Sequence, residues 1–167
     1  GKSYDEMDDP YRANSYSLAG TTKILDGETH AETLSPTDGN IKFLMAEELG
    51  DYVENVTHHE SHSYMAETYT SLFDQSAERS AELSAVLDHT ESTTEFAQDT
   101  NTNRAFYQAS RIIKARNELE SERDVFYISL GSFDHHTNLP AGLTSKLSEM
   151  DDALGAFVAE MKAQGMW

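Results

Sequence analysis

The chain contains no cysteine. Disulfide frameworks and cysteine-based zinc sites are therefore excluded. An oxidising compartment is permitted by that absence without being indicated. Basic residues are scarce as well: 12 Lys and Arg stand against 30 Asp and Glu, for a formal charge of −18. Nucleic acid and anionic membranes both require Lys/Arg contacts to phosphate, so such a surface repels both. It suits solubility, a cation atmosphere or a basic partner. No apolar run approaches the roughly 18 residues of a membrane span. The opening, GKSYDEMDDPYR, is polar and carries no signal-peptide pattern. The nine glycines are scattered, with no G-x-G-x-x-G or G-K-[ST] phosphate loop. No G-x-S-x-G elbow marks a hydrolase nucleophile.

What is present suits one domain, or a portion of a larger one. The chain has 167 residues, and 38% apolar residues is thin for a core. Gly1 in place of an initiator methionine fits a mature product or a portion of something longer. Residues 1–40 read as irregular and β-rich, with one or two short strands between Ser15 and Gly27 and a turn at Pro36 and Asp38-Gly39. Residues 41–120 read as helical. One helix begins near Ile41, a second spans about 60–88, and a third spans about 103–120 after the polar break HTESTTEFAQDTNT.

Residues 121–167 read as strand then helix. The strand runs from Asp124 to Gly131, and VFYISL lacks alternation, as expected of a strand covered on both faces. In the last helix, about 141–164, Leu143, Leu147, Met150, Leu154, Phe157 and Met161 step by 4, 3, 4, 3, 4. That spacing is a coiled-coil seam or, after a buried strand, one face of a helix lying on a sheet. Gly165 stands where a helix C-cap belongs. Helix, strand and helix in that order form half of an α/β unit. One buried strand makes no sheet, so either the N-terminal strands pair with it or further strands lie outside the chain.

Three features carry candidate chemistry. His58-His59-Glu60-Ser61-His62 approaches the H-E-x-x-H zincin signature, but His59 and His62 are only three apart. His58 and His62, four apart, would share a helix face; a polar helix start is the plainer reading. Asn55-Val56-Thr57 is a glycosylation sequon of a length that chance supplies often. Arg111, Lys114 and Arg116 form a small basic face, read as solvated or paired with neighbouring acids. The strongest candidate is Phe133-Asp134-His135-His136. It lies just beyond the carboxyl end of the strand, where open α/β sheets gather their ligands. A carboxylate beside neutral imidazole is a sound nucleus for a divalent ion. The alternative is a polar loop in which Asp134 caps backbone N–H groups.

The stretch ASRIIKARNELESERDVFYISLGSFDHHTN, with the final helix, resembles a large uncharacterised family, mostly of bacterial exported proteins, in the alkaline phosphatase/sulfatase superfamily. Members carry a helix ending in Ile-x-x-Arg, matched by Ile113 to Arg116. Their strand leads into Gly-Phe-Asp-Thr-His, matched by Ser132 to His136. Their following helix is matched from Met150 to Lys162. The resemblance is good over residues 104–167 and looser over 10–88.

It implies a helix-dominated α/β section of an alkaline-phosphatase-like fold, with at least one buried strand. It also implies a divalent metal, Zn²⁺, Mn²⁺, Ca²⁺ or Mg²⁺, held in part by Asp134 and His136. His135 replaces the usual Thr and either adds a ligand or disturbs the site. The family's Gly-Gly-Asn-Asp, Ser-x-Phe-Gly-Arg and Asp-His-Gly segments have no counterpart here. The expectation is therefore a non-catalytic structural or assembly component, inactive as an isolated chain and completed by other protein chains or by segments of a longer parent. The alternative is a fragment of a metal-dependent hydrolase of phosphate or sulfate esters. An extracytoplasmic location follows from the resemblance alone.

Overall fold

A computed structural model describes residues 12–25, 27, 31–40, 63–134 and 136–167. Strand β1 (Arg12–Ser17) lies between β2 (Glu32–Ser35) and β4 (Ser121–Tyr127), parallel to both, and β3 (Gly39–Asn40) returns antiparallel to β2. Helices α1 (Tyr64–His89), α2 (Asn101–Lys114) and α3 (Leu139–Ala163) supply most of the regular secondary structure among the described residues. The fold is α/β, and the N-terminal strands do pair with the later one.

Side-chain alternation explains the sheet's inner face. Tyr16 and Leu18 are two apart and both buried, and Tyr16 stacks on its register partner Phe126 at 5.3 Å between ring centroids. Leu34 of β2 joins them, with Leu83, Val86 and Leu87 from the end of α1 and Ala105, Ala109 and Ile112 from α2. Those α2 positions are four and three apart, so one helical face lies in this core. Coverage of β4 is one-sided. Phe126 and Ile128 pack on the core, while Val125 is 53% exposed. The expectation of a strand covered on both faces is corrected accordingly, because the face carrying Val125 is open among the described residues; β4 is also an edge strand there, pairing with β1 alone.

The turn between β2 and β3 follows its sequence. Ser35 Oγ donates to Asp38 Oδ2 at 2.9 Å and accepts from Asp38 N at 3.2 Å, and Gly39 closes the loop with φ of 75°. A Cβ on Gly39 would sit 3.3 Å from Gln108 Oε1. Gly39→Ala therefore combines backbone strain with a tight contact and is expected to lower stability by about 1–2 kcal/mol in urea denaturation. An unchanged denaturation midpoint would show that the turn relaxes freely.

Helix caps set the remaining boundaries. Thr100 Oγ1 accepts from Asn103 N at 3.1 Å and starts α2. Helix α3 carries Pro in its first turn and ends at Gly165, φ 71°, where Met166 N donates to Met161 O at 2.8 Å. That closure is a Schellman arrangement, with Gly165 at the helix end where a C-cap is expected. Helix α3 packs on α2. Ala153 is buried, Glu149 accepts from Thr102 Oγ1 at 2.6 Å, and the Phe106 and Phe157 rings meet at 5.5 Å. Leu143, Leu147, Met150 and Leu154 are exposed, so only the lower end of the apolar stripe, Phe157 and Met161, is covered. The expected placement of that whole stripe on a sheet is thus corrected.

Candidate functional site

Beyond Tyr127 the chain leaves the sheet. Ile128 still packs on the core and Leu130 is half-buried, but Ser132 takes a φ of 68° and the backbone turns outward. Asp134 and His136 follow. Their side chains are 87% and 86% exposed, and His136 Nε2 lies 3.3 Å from Asp134 Oδ2. The two residues singled out in the sequence therefore lie side by side on the segment that follows β4, with Asp134 seven residues beyond Tyr127. His135 falls outside the described residues, as do His58 to His62 and the Asn55 sequon.

The donor set decides what this pair can do. Zinc sites close with four ligands or with three and a water, and Ca²⁺ takes six to eight oxygens. Among the described residues no group of three or more Asp, Glu or His is arranged to hold an ion. The imidazole nitrogen and carboxylate oxygen also face one another, which engages a donor atom of each. Asp134 and His136 supply two donor groups, fewer than these ions require, so by themselves they do not complete a metal site.

The best-built polar sites lie elsewhere. Glu160 on α3 is fully buried. Its Oε1 accepts from Thr93 N at 2.8 Å and Gln164 Nε2 at 2.7 Å. Its Oε2 accepts from Thr94 N and from Thr94 Oγ1, both at 2.6 Å. Burial alone would push this carboxyl up, but the four hydrogen bonds prevail and hold it down to about 2. Sequence reading missed it; the one available signal was an acid inside the apolar run AFVAEM.

The basic face of α2 has a structural task as well. Arg111 Nε donates to Thr90 O at 2.6 Å, and a second guanidinium nitrogen donates to Leu87 O. Lys114 Nζ donates to Glu91 O at 2.8 Å and to Thr93 Oγ1 at 3.1 Å. These cations hold backbone carbonyls and a hydroxyl at the end of α1 and in the segment joining it to α2. The expected solvated or acid-paired face is corrected for Arg111, whereas Lys114 stays exposed as expected while making these bonds.

Most of this chain matches one family model, described as a protein of unknown function, over residues 29–167. The chain belongs to the DUF1501 family. No curated protein and no solved structure matches it. Within the matched span of this DUF1501 chain lie the Asp134–His136 pair, the Glu160 network and the exposed line of α3. Among the described residues no helix is long and apolar enough to cross a membrane.

Proposed function

We propose that this chain is a non-catalytic structural or assembly component, derived from an alkaline-phosphatase/sulfatase-like protein and working against other protein chains or segments of a longer parent. The observation that carries this reading is the uncovered apolar line of α3, Leu143, Leu147, Met150 and Leu154. Monomeric surfaces rarely leave such a contiguous line to water unless it meets a partner. Its place outside the cytoplasm rests on sequence resemblance.

One observation favours the alternative, a fragment of a metal-dependent hydrolase of phosphate or sulfate esters. Asp134 and His136 approach one another on the segment that leaves the carboxyl end of β4, the end at which α/β enzymes collect ligands. In that case the remaining ligands and the nucleophile lie outside this chain.

Elemental analysis, with nitrophenyl phosphate and nitrophenyl sulfate assays, separates the two when run on the native protein that carries this chain together with any segments or partner chains that copurify with it. The expected result is no stoichiometric divalent ion and no turnover above buffer. Asp134→Ala should shift stability by no more than about 0.5 kcal/mol, because the side chain is so exposed. A one-to-one ion and ester hydrolysis, both lost in Asp134→Ala, would replace the assembly reading with the hydrolase one.

A further inference from the structure

Helix α3 has two distinct lines of side chains. Lys146, Glu149, Ala153 and Glu160 lie on the side that meets α2 and the segment before it: Glu149 takes Thr102, Glu160 takes Thr93 and Thr94, and Ala153 is buried. Leu147, Met150, Leu154 and Met161 each sit one residue later, about 100° around the helix. Leu143 starts this second line, and Leu139 extends it by one turn. From Leu139 to Leu154 the line runs roughly 22 Å. Its five side chains are 38–54% exposed, so the core formed by the described residues does not use them. Their steps from Leu143, four, three and four, are the period at which one helix takes another in a shared seam.

Charge says what kind of helix fits. Both lysines of α3 are already engaged: Lys146 Nζ donates to Glu149 Oε2 at 2.8 Å, and Lys162 Nζ lies 6.0 Å from the centroid of the Trp167 ring. Asp151 borders the leucine line at its middle, and Asp152 follows it. Both are exposed, and among the described residues neither has an ion-pair partner. The whole chain carries −18. A second copy would bring two such charges together and set acid against acid. A cationic helix instead gains from the acidic surface during approach and from Asp151 once docked.

We infer that the leucine line of α3 is a docking site for a basic amphipathic helix of a partner protein. The partner's apolar side chains would lie against Leu143, Leu147, Met150 and Leu154, with a flanking lysine or arginine opposite Asp151. This rests on the assembly reading and names its partner chemistry. Metal content and turnover test that reading, whereas peptide binding tests the partner chemistry, so the two fail separately.

The probe is a fluorescein-labelled peptide of about 20 residues, with leucine at heptad a and d positions and lysine on its flanks. Its controls are the same helix with glutamate flanks and a scrambled lysine peptide. Titration of the whole chain followed by anisotropy should give saturable one-to-one binding of the lysine helix alone, weakening as salt rises from about 50 to about 500 mM. The Leu147→Ser/Leu154→Ser double variant should bind at least ~10-fold more weakly while keeping its helical circular dichroism. Asp151→Lys leaves the apolar line intact and should weaken the lysine helix while admitting the glutamate helix. Absence of binding to the wild type, equal binding by the serine double variant, or equal binding of the scrambled peptide would overturn the proposal. So would a wild-type dimer in sedimentation that the serine variant dissolves, since the occupant would then be a second copy.

Discussion

Glu160→Ala should destabilise this chain by about 3 kcal/mol, the largest effect expected outside the apolar core. The carboxylate is fully buried and accepts four hydrogen bonds, from Thr93 N, Thr94 N, Thr94 Oγ1 and Gln164 Nε2. Two of those donors are backbone groups of the segment between α1 and α2. Removing the carboxylate strands them, and each stranded buried donor costs about 1–3 kcal/mol. At this chain length the loss corresponds to a fall of roughly 6–12 °C in Tm. Glu160→Gln keeps the shape but turns an amide NH2 toward a backbone N–H, so about 2 kcal/mol is expected there. A loss below about 1 kcal/mol for the alanine variant would mean that the segment re-forms its bonds with water or with another group.

The same carboxylate sets an acid limit. Folding lowers its pKa from the ordinary 4.5 to about 2. A carboxyl depressed on folding contributes stability that is complete above its unfolded pKa and is lost as pH falls through its folded one. The window here runs from about pH 4.5 down to about pH 2, and the stability at stake is roughly 3 kcal/mol. Wild-type urea midpoints should therefore fall steeply across that window. Alanine at 160 does not titrate, so the variant's acid limb should be shallower. Parallel acid limbs in wild type and variant would show that other carboxyls govern acid unfolding.

How much of this was legible in the sequence differs from element to element. Element type and order were, from Tyr64 onward, because apolar spacing reports helix and strand periods directly. Gly39 and Gly165 were legible because only a few residues take a positive φ cheaply. Boundaries slipped where polar residues carry the structure. Helix α2 stops at Lys114, not near 120, because Ala115 to Glu120 turn back toward the sheet and Glu120 takes a φ of 49°. Strand β4 starts at Ser121, not Asp124. Its polar first half pairs with β1, and Asn14 Nδ2, Ser121 Oγ and Asp124 Oδ1 form a chain of hydrogen bonds there. An apolar pattern cannot register such a strand end.

Periodicity likewise tells which side chains share a face but not what that face meets. The stripe of α3 was read correctly as one line, yet its upper part lies in solvent and a neighbouring line of small and polar residues does the packing. Asp134 and His136 were legible as neighbours because they are two apart at a strand end. Glu160 and Arg111 were not, because their partners are mainly distant backbone atoms, which no side-chain motif encodes.

Arg111 should be the second most sensitive of the polar positions. Near the end of α1, Leu87 O accepts from Thr90 N at 3.3 Å, and Arg111 of α2 adds a second donor there and a donor for Thr90 O just beyond. It also donates to Gln108 Oε1 at 2.7 Å and lies 5.3 Å from the Tyr107 ring centroid. A positive group at a helix C-terminus gains further from the helix dipole. Arg111→Met should cost about 2–3 kcal/mol in urea denaturation. Arg111→Lys should cost about 1–2 kcal/mol, because one ammonium cannot reproduce the planar fork. The sharper test is the cycle with Glu160→Ala. Arg111 holds the 87–90 end of the connecting segment from α2, and Glu160 holds Thr93 and Thr94 from α3. Once either anchor is gone, part of the ordering that the other depends on is gone too. The double variant should therefore fall short of the sum of the single losses by at least about 0.5 kcal/mol. Strict additivity would show that the two ends of the segment are held independently, and that helix α3 reaches α1 only through α2.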